Sequence, residues 1–446
     1  MVQIIEIINS TPGSYSKFIN TEGVVDTIAV ARYLDDWFRA KPRLSDGPVR
    51  IWRPSAPQKS LKFNVNVFVE NSASMDGYVK GVTDFETAIY NLLADVKLST
   101  FCDSLNLNYI NSQVLKFPPD IEDFINKLEP TTFKERGGDR GTTDIKEILS
   151  NVLGRVNNRN MAVLVSDFVF SPGKNKDATE YLEQQQVGIR IDIAQKLDSF
   201  DLALAVIQLG SQFHGIYYDR NNSGIPIDNK RPYYVWLIGS REQIEEVRNK
   251  RILEQLKGRN GYMNMALYKK SGNGAAAYAV QHAKWKEGTF NRDVSKGITG
   301  AEWNKETKRF GFSIATDLSG SWQDESYLRD TSNYQVHPAY YVIKDIRAIK
   351  HDDQLYNKGY THLLELSTRE AVPLQPNETV RVELLARMPQ WVNEHTSSDD
   401  TRMANDPAQM EKTFGLKHLM EGVHGAFHPD PNGSLTSIAI PITKKK

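Results

Sequence analysis

Residues 61–78 read Leu61-Lys-Phe-Asn-Val-Asn-Val-Phe-Val-Glu-Asn-Ser-Ala-Ser-Met-Asp-Gly-Tyr78. The first half alternates apolar and polar residues and becomes apolar on both faces near Phe68, which is typical of a strand in the middle of a covered sheet. Oxygen-bearing side chains then occupy alternate positions: Glu70, Ser72 and Ser74. Open α/β sheets bind ions and ligands just past the ends of such strands. This stretch therefore predicts a binding site.

Composition limits the classes of protein to consider. At 446 residues the chain is long enough for two or three domains. Hydrophobic residues make up 40% and charged residues 25%, which are values of globular proteins. Lysine plus arginine and aspartate plus glutamate both total 55, so no global charge attracts the chain to nucleic acid or to an anionic membrane.

The cysteine content and the hydropathy of the sequence exclude further classes of protein. Cys102 is the only cysteine, which excludes an intrachain disulfide framework and a cysteine-rich zinc site. The N-terminal segment does not have the basic stretch and long apolar core that are typical of a signal peptide. No stretch of the sequence approaches the ~20 consecutive apolar residues of a transmembrane helix. We expect a soluble chain that is cytoplasmic, with the cell envelope or the exterior as alternatives. Its oligomeric state stays open.

An α/β domain is predicted over residues 61–256. Further apolar strands are expected at Met161–Val165, Leu202–Leu209 and Tyr233–Ile238. Helical spacing of apolar residues indicates helices near 84–97, 121–128, 144–156 and 189–197, and another from Arg241. Strands that alternate with helices predict a doubly wound, mostly parallel, Rossmann-like sheet with helices on both faces.

The regions on either side of the α/β domain have different predicted secondary structure. Residues 1–60 predict a helix from Asp26 to Ala40 and a proline-containing connector. Residues 257–446 predict an all-β, sandwich-like domain, with strands at Phe310–Leu318, Ala339–Ile349, Tyr360–Ser367, Thr379–Met388 and Leu435–Ile442. A helical insert is expected near 406–427, because Asp406-Pro407 is a favourable helix start.

Three oxygen-rich positions could converge in the α/β domain. They are Glu70 with Ser72 and Ser74, Thr142 with Thr143 before a helix, and Asp167 after the strand Met161–Val165. The ends of neighbouring parallel strands lie side by side at one edge of such a sheet. Hydroxyl groups with one or two carboxylates suit a hard cation such as Mg²⁺. The sequence therefore predicts a metal site.

These segments resemble the motifs of von Willebrand factor type A domains. Val67-Phe-Val-Glu-Asn-Ser-Ala-Ser-Met75 is similar to the Asp-x-Ser-x-Ser motif of that family, which is often followed by Met. Gly141-Thr-Thr-Asp-Ile-Lys-Glu-Ile-Leu149 resembles its Gly-Gly-Thr-Asp-Ile helix start and favours Thr143 over Thr142. Val163-Leu-Val-Ser-Asp167 resembles its strand ending in Ser/Thr-Asp-Gly. The resemblance covers about residues 60–256.

The resemblance implies a metal-ion-dependent adhesion site. Mg²⁺, with Mn²⁺ or Ca²⁺ as alternatives, would be bound directly or through water by Ser72, Ser74 and Thr143. Glu70 and Asp167 would hold the coordinated waters, and a protein partner would supply a carboxylate. Two positions depart from the pattern: Glu70 stands where Asp is usual, and Phe168 replaces the usual Gly.

Other interpretations of the same residues stay open. Ser72 and Ser74 could cap the following helix, and Asp167 could be a turn residue. A hydrolase with a nucleophilic serine is an alternative function, but all nine histidines lie at or after His214, away from these motifs in sequence. A degenerate domain that keeps the fold without the metal is a further alternative. The sequence favours a non-enzymatic protein-binding or scaffold module over both.

Overall fold

The chain is seen in a computed structural model and divides into two compact units, Met1–Leu61 and Lys62–Lys446. The structure describes Phe18, Ile19, Val30 and Tyr33 and, from 61 to 445, all residues except 142–143, 173–175, 259–260, 271–273, 294–296, 351, 370–374 and 404–405. In the first unit the rings of Phe18 and Tyr33 meet edge to face, with centroids 5.2 Å apart. The helix predicted over Asp26–Ala40 lies outside the described residues except for Val30 and Tyr33, which are helical.

Seven strands of the second unit form one sheet. They are β1 (Phe63–Glu70), β2 (Cys102–Ile110), β3 (Val114–Phe117), β4 (Asn160–Ser166), β5 (Leu202–Tyr218), β6 (Gly224–Ser240) and β7 (Tyr262–Lys269). Their order across the sheet is β3-β2-β1-β4-β6-β5-β7. β1 pairs in parallel with β2 and β4, whereas the four remaining pairs are antiparallel. The sheet is mixed, so the prediction of a mostly parallel sheet is wrong.

A long hairpin explains this difference. β5 and β6 are joined by a short turn, in which the Asp219 carboxylate accepts hydrogen bonds from the backbone N–H groups of Asn221 at 2.9 Å and Ser223 at 2.8 Å. A tight turn can join only antiparallel neighbours. β6 returns between β4 and β5 and pairs antiparallel with both. The strands predicted at Leu202–Leu209 and Tyr233–Ile238 are only the apolar parts of β5 and β6.

Helices connect the strands in the order α1 (Asp84–Leu98), α2 (Ile121–Asn126), α3 (Pro130–Glu135), α4 (Ile145–Leu153), α5 (Ala178–Ser199), α6 (Arg241–Asn249) and α7 (Ile252–Lys257). The predicted helices are confirmed, although the one expected at 189–197 is the second half of the longer α5. α6 starts with a reciprocal capping box, in which Ser240 and Gln243 each bond the other's backbone N–H.

The rest of the unit is rich in strands. They are β8 (Tyr278–Gln281), β9 (Thr289–Asp293), β10 (Gly297–Glu302), β11 (Gly311–Thr316), β12 (Tyr334–His337), β13 (Tyr341–Ala348), β14 (His362–Thr368), β15 (Asn377–Leu385), β16 (Thr396–Ser397), β17 (Thr413–Phe414) and β18 (Ser434–Lys444). One sheet has the order β12-β15-β18-β10-β9, another β13-β14-β11-β8, and β16 pairs with β17. All five strands predicted here are confirmed. Buried residues of both larger sheets share one apolar core, among them Phe312, Leu364, Val382 and Ile440.

Short helices interrupt this β region: α8 (Glu325–Arg329), α9 (Gln354–Asn357), α10 (Trp391–Glu394) and the longer α11 (Leu416–Phe427). α11 packs closely on α5, since a Cβ atom added at Gly422 would lie 2.7 Å from the Gln186 carbonyl oxygen. The His418 imidazole also bonds the Gln186 side chain at 2.9 Å. The predicted insert is therefore helical mainly over α11. No helix in the described ranges is long and apolar enough to cross a bilayer.

His428, which ends α11, makes stability depend on pH. Burial, with a smaller contribution from neighbouring His424, lowers the pKa of His428 to about 4, against ~6.5 in an unfolded chain. The folded state binds a proton at His428 less readily than the unfolded chain does. The contribution of neutral His428 to the stability of the fold is therefore fully present above pH ~6.5, the pKa in the unfolded chain, and is lost as the pH falls towards the lower pKa in the folded state. Between pH 7 and pH 5 the free energy of unfolding should fall by about 2 kcal/mol more in the wild type than in His428→Gln. Urea denaturation at both pH values measures this difference, and equal losses in the two proteins would contradict it.

Candidate functional site

The ends of β1 and β4 meet at one edge of the large sheet. The two strands run in parallel, with Val69 opposite Val165. Glu70, at the end of β1, therefore lies beside Ser166 at the end of β4, and the loops that follow both strands start at the same edge. This is the part of an α/β sheet where ligand sites form.

Glu70 is tied to the neighbouring strand. Its side chain is only 2% exposed. The Ser166 hydroxyl donates a hydrogen bond to Glu70 Oε2, and the Phe168 backbone N–H donates to Ser166 Oγ at 2.8 Å. The Glu70 side chain, which is longer than the Asp of the motif that this segment resembles, is thus held by a hydroxyl of the adjacent strand.

Ser72 and Ser74 lie in the turn after β1. Ser72 precedes a 3₁₀ turn over Ala73–Gly77, but its side chain accepts no capping hydrogen bond. The alternative that Ser72 caps the following helix is therefore wrong. The two hydroxyl oxygens are instead 3.0 Å apart and hydrogen-bonded to each other. Ser72 is buried, whereas Ser74 is partly exposed.

Asp167 lies at the start of the loop after β4. Its carboxylate is 3% exposed and accepts a hydrogen bond from the Val169 N–H at 3.2 Å. Burial raises the pKa of Asp167, and the hydrogen bond from Val169, the nearby Ser74 side chain and the charge of Arg231 offset part of that rise. Ser74 and Asp167 therefore lie near each other, although they belong to different loops. Thr143 and Thr142 lie outside the described residues.

Arg140 was not singled out from the sequence. Its Nε donates to the carbonyl oxygen of Asn71 at 2.7 Å and its Nη2 to that of Ser72 at 3.3 Å. The same guanidinium forms an ion pair with Asp76. Burial raises the pKa of the Asp76 carboxyl, and Arg140 offsets part of that rise. Arg140 thus fixes the backbone that carries both serines, a role that its glycine-rich surroundings in the sequence did not indicate.

Arg231 on β6 was also missed. Its guanidinium is 1% exposed, lies 4.5 Å from the centre of the Tyr217 ring, and donates to the Met410 carbonyl at 3.3 Å. Nε and Nη2 have no hydrogen-bond partner in the described part of the chain. Its positive charge favours the ionised form of Asp167. A buried cation therefore partly balances the buried carboxylates of the site.

Phe168 occupies the position where the resembling motif has glycine. Its φ is +49°, a left-handed conformation that is rare for residues with a side chain. The ring is 1% exposed and packs on Trp236 with centroids 4.7 Å apart. The backbone conformation is thus one that suits glycine, while apolar packing holds a phenylalanine in it.

Two glycines set the position of the serine turn. A Cβ atom added at Gly215 on β5 would lie 2.8 Å from the Gly77 Cα, so the two backbones touch. We expect Gly215→Ala to lower the free energy of unfolding by about 1–3 kcal/mol, because the backbones must move apart. Gly320→Ala is the matched control, since nothing lies within 4 Å of its added Cβ. Similar stabilities of the two variants in urea denaturation would argue against a close contact.

The donor set suits a small hard cation. Neighbouring ligands of an octahedral Mg²⁺ lie about 2.9 Å apart when each bond is about 2.0–2.1 Å, and the hydroxyl oxygens of Ser72 and Ser74 are 3.0 Å apart. Asp167 adds a carboxylate near Ser74. In the described ranges no three His, Cys, Asp or Glu side chains are grouped to bind a metal. Hydroxyls and a carboxylate favour Mg²⁺ over softer metals such as zinc.

Comparisons with protein-family models, curated proteins and solved structures found no significant match for this chain.

Proposed function

We propose that the chain is a non-enzymatic protein-binding module of the von Willebrand factor type A kind, which engages its partner through Mg²⁺. The observation that supports this most is the meeting of the loops after β1 and β4, where the hydroxyls of Ser72 and Ser74 bond each other and the Ser74 side chain is near enough to Asp167 to lower the pKa of its carboxyl. Two hydroxyls and a carboxylate thereby come together at the edge of the sheet. Ser72, Ser74 and Thr143 would hold the ion, and Glu70 and Asp167 its waters.

In this proposal the residues of the site have different roles. Ser74 is partly exposed, so a partner can approach the site from its side, while Glu70 and Asp167 are buried. The hydrogen bond from Ser166 holds the Glu70 carboxylate in place, and Arg140 fixes the turn between the serines. Mg²⁺ would supply a coordination position that a carboxylate of the partner can fill.

A second candidate function is that of a metal-free structural domain. The two serine hydroxyls bond each other, and Asp167 accepts a hydrogen bond from the Val169 N–H. Arg140 adds a positive charge beside the same turn. Polar groups that already have partners do not require a metal to offset their burial. This observation supports a domain that keeps the fold and serves as a scaffold.

A serine hydrolase is the least supported alternative. A nucleophilic serine needs a base within hydrogen-bond reach. In the described part of the chain the hydroxyls of Ser72 and Ser74 bond each other, and neither forms a hydrogen bond with a histidine. The buried position of Ser72 also hinders access of a substrate.

Water-proton relaxation with Mn²⁺ as a paramagnetic probe tests the proposal. Binding to the site should raise the relaxation rate, and excess Mg²⁺ should reverse the rise by competition. Glutarate, added as a stand-in for the partner's carboxylate, should lower the rate by displacing a metal-bound water, whereas glutaramide should not. No rise up to millimolar Mn²⁺ would leave the metal-free scaffold as the function. Turnover of a generic ester would support the hydrolase.

A further inference from the structure

A cavity of about 860 Å³ lies where α5 and α11 meet the segments that follow β7 and β15. Small-molecule sites in proteins usually measure ~300–1,000 Å³. Apolar side chains form part of its wall, among them Leu197, Met388 and Phe427. The cavity shares no residue with the serine and aspartate site. Its volume and walls suit an organic molecule of moderate size.

Cations from separate parts of the chain converge on this cavity. Arg190 comes from α5, Lys270 follows β7 and Arg387 follows β15. None of the three forms an ion pair with another residue in the described ranges. Of the two acids in the wall, Asp198 and Glu421, the second lies 3.8 Å from Lys417 outside the cavity. Unpaired cations that face one space favour an anionic ligand.

An aromatic surface completes the wall. The rings of His424 and His428 have centroids 5.0 Å apart, and both lie beside Tyr268. Burial lowers the pKa of both histidines, so they are neutral near pH 7. His424 Nδ1 is buried without a hydrogen-bond partner among the described residues. A neutral aromatic surface beside the cations suits a ligand that combines an apolar body with an anionic group.

We propose that this cavity binds a small phosphate monoester with an aromatic or apolar body. The phosphate lies among Arg190, Lys270 and Arg387, and the body packs on the surface formed by His424, Phe427 and His428. Two guanidinium groups and one ammonium suit a doubly charged phosphate better than a singly charged carboxylate, because guanidinium donors match phosphate oxygens in pairs. The apolar wall excludes inorganic phosphate as the preferred ligand.

Isothermal titration of the full chain with phenyl phosphate tests the proposal. We expect saturable binding that is at least tenfold tighter than that of inorganic phosphate, phenol or benzoate. Phenol lacks the charge, inorganic phosphate lacks the body, and benzoate carries a carboxylate in place of the phosphate. The Arg190→Gln/Arg387→Gln variant should bind phenyl phosphate at least tenfold more weakly.

The control variant is Arg159→Gln, which removes an exposed arginine before β4 that does not line the cavity. Its affinity should equal that of the wild type, and thermal unfolding should show that both variants fold. The proposal is overturned if phenyl phosphate does not bind at millimolar concentration, if benzoate binds as tightly, or if the double variant binds like the wild type. None of these measurements depends on Mg²⁺, so they succeed or fail independently of the metal site.

Discussion

The Ser72→Ala/Ser74→Ala variant should bind Mg²⁺ at least about 100-fold more weakly than the wild type. Changes to groups that only orient metal ligands already cost ~10–100-fold in affinity, and this variant would remove two of the proposed ligands. Isothermal titration with Mg²⁺ and Mn²⁺ measures the loss. The fold should survive, since Ser74 is partly exposed and the two hydroxyls mainly bond each other.

Ser104→Ala is the control for this variant. Ser104 lies on β2 of the same sheet, and its hydroxyl bonds the Asn64 side chain at 2.7 Å, away from the serine turn. This variant should bind Mg²⁺ like the wild type. A second readout is stability, because a ligand at 100 times its Kd raises the free energy of unfolding by about 2.7 kcal/mol. Equal metal-induced stabilisation of the wild type and the double serine variant would place the ion elsewhere.

The strands at the centre of the site could be predicted because buried strands are rich in apolar residues, a pattern that is visible in the sequence. β4 is a nearly continuous apolar run, and β1 is apolar on both faces from Val67 to Val69, as expected for strands covered on both faces. Each is followed at once by oxygen-bearing side chains, so Glu70 and Asp167 could be assigned to strand ends. The pairing of β1 with β4 then brings those ends together.

The outer half of the sheet could not be predicted in the same way. The paired residues of β5 and β6 continue from Leu209 opposite Tyr233 to Tyr218 opposite Gly224, through a polar stretch. A hairpin arm that is partly exposed needs few apolar residues, so the pattern resembles a loop. In the sheet, β6 lies between β4 and β5. This arrangement depends on the hairpin, which the apolar pattern of the sequence does not indicate.

The two arginines at the site depend on contacts between distant segments. Arg231 donates to Met403 and Met410, which are 172 and 179 residues further along the chain. Arg140 reaches back 69 residues to the carbonyl of Asn71. In sequence each arginine lies in a polar stretch and looks like a solvated charge. Their burial follows from tertiary packing, which a single sequence does not display.

Substitutions at Phe168 should separate the packing of its ring from the strain of its backbone. Phe168→Ala should lower the free energy of unfolding by about 3–5 kcal/mol, because it leaves a cavity against Trp236. Phe168→Gly loses the same ring but relieves a φ of +49°. Since left-handed backbone costs a residue with a side chain about 1–2 kcal/mol, the glycine variant should be more stable than the alanine variant. Urea denaturation of both proteins measures the two effects.

Phe170 provides the matched comparison two residues later. Its ring is also fully buried, but its φ is not positive. There glycine should be less stable than alanine by about 0.5–1 kcal/mol, because glycine loses more backbone freedom on folding. The order of alanine and glycine should therefore reverse between positions 168 and 170. The same order at both positions would mean that Phe168 is unstrained. A reversal would show that the loop after β4 keeps a backbone suited to glycine, and that packing on Trp236 outweighs its cost.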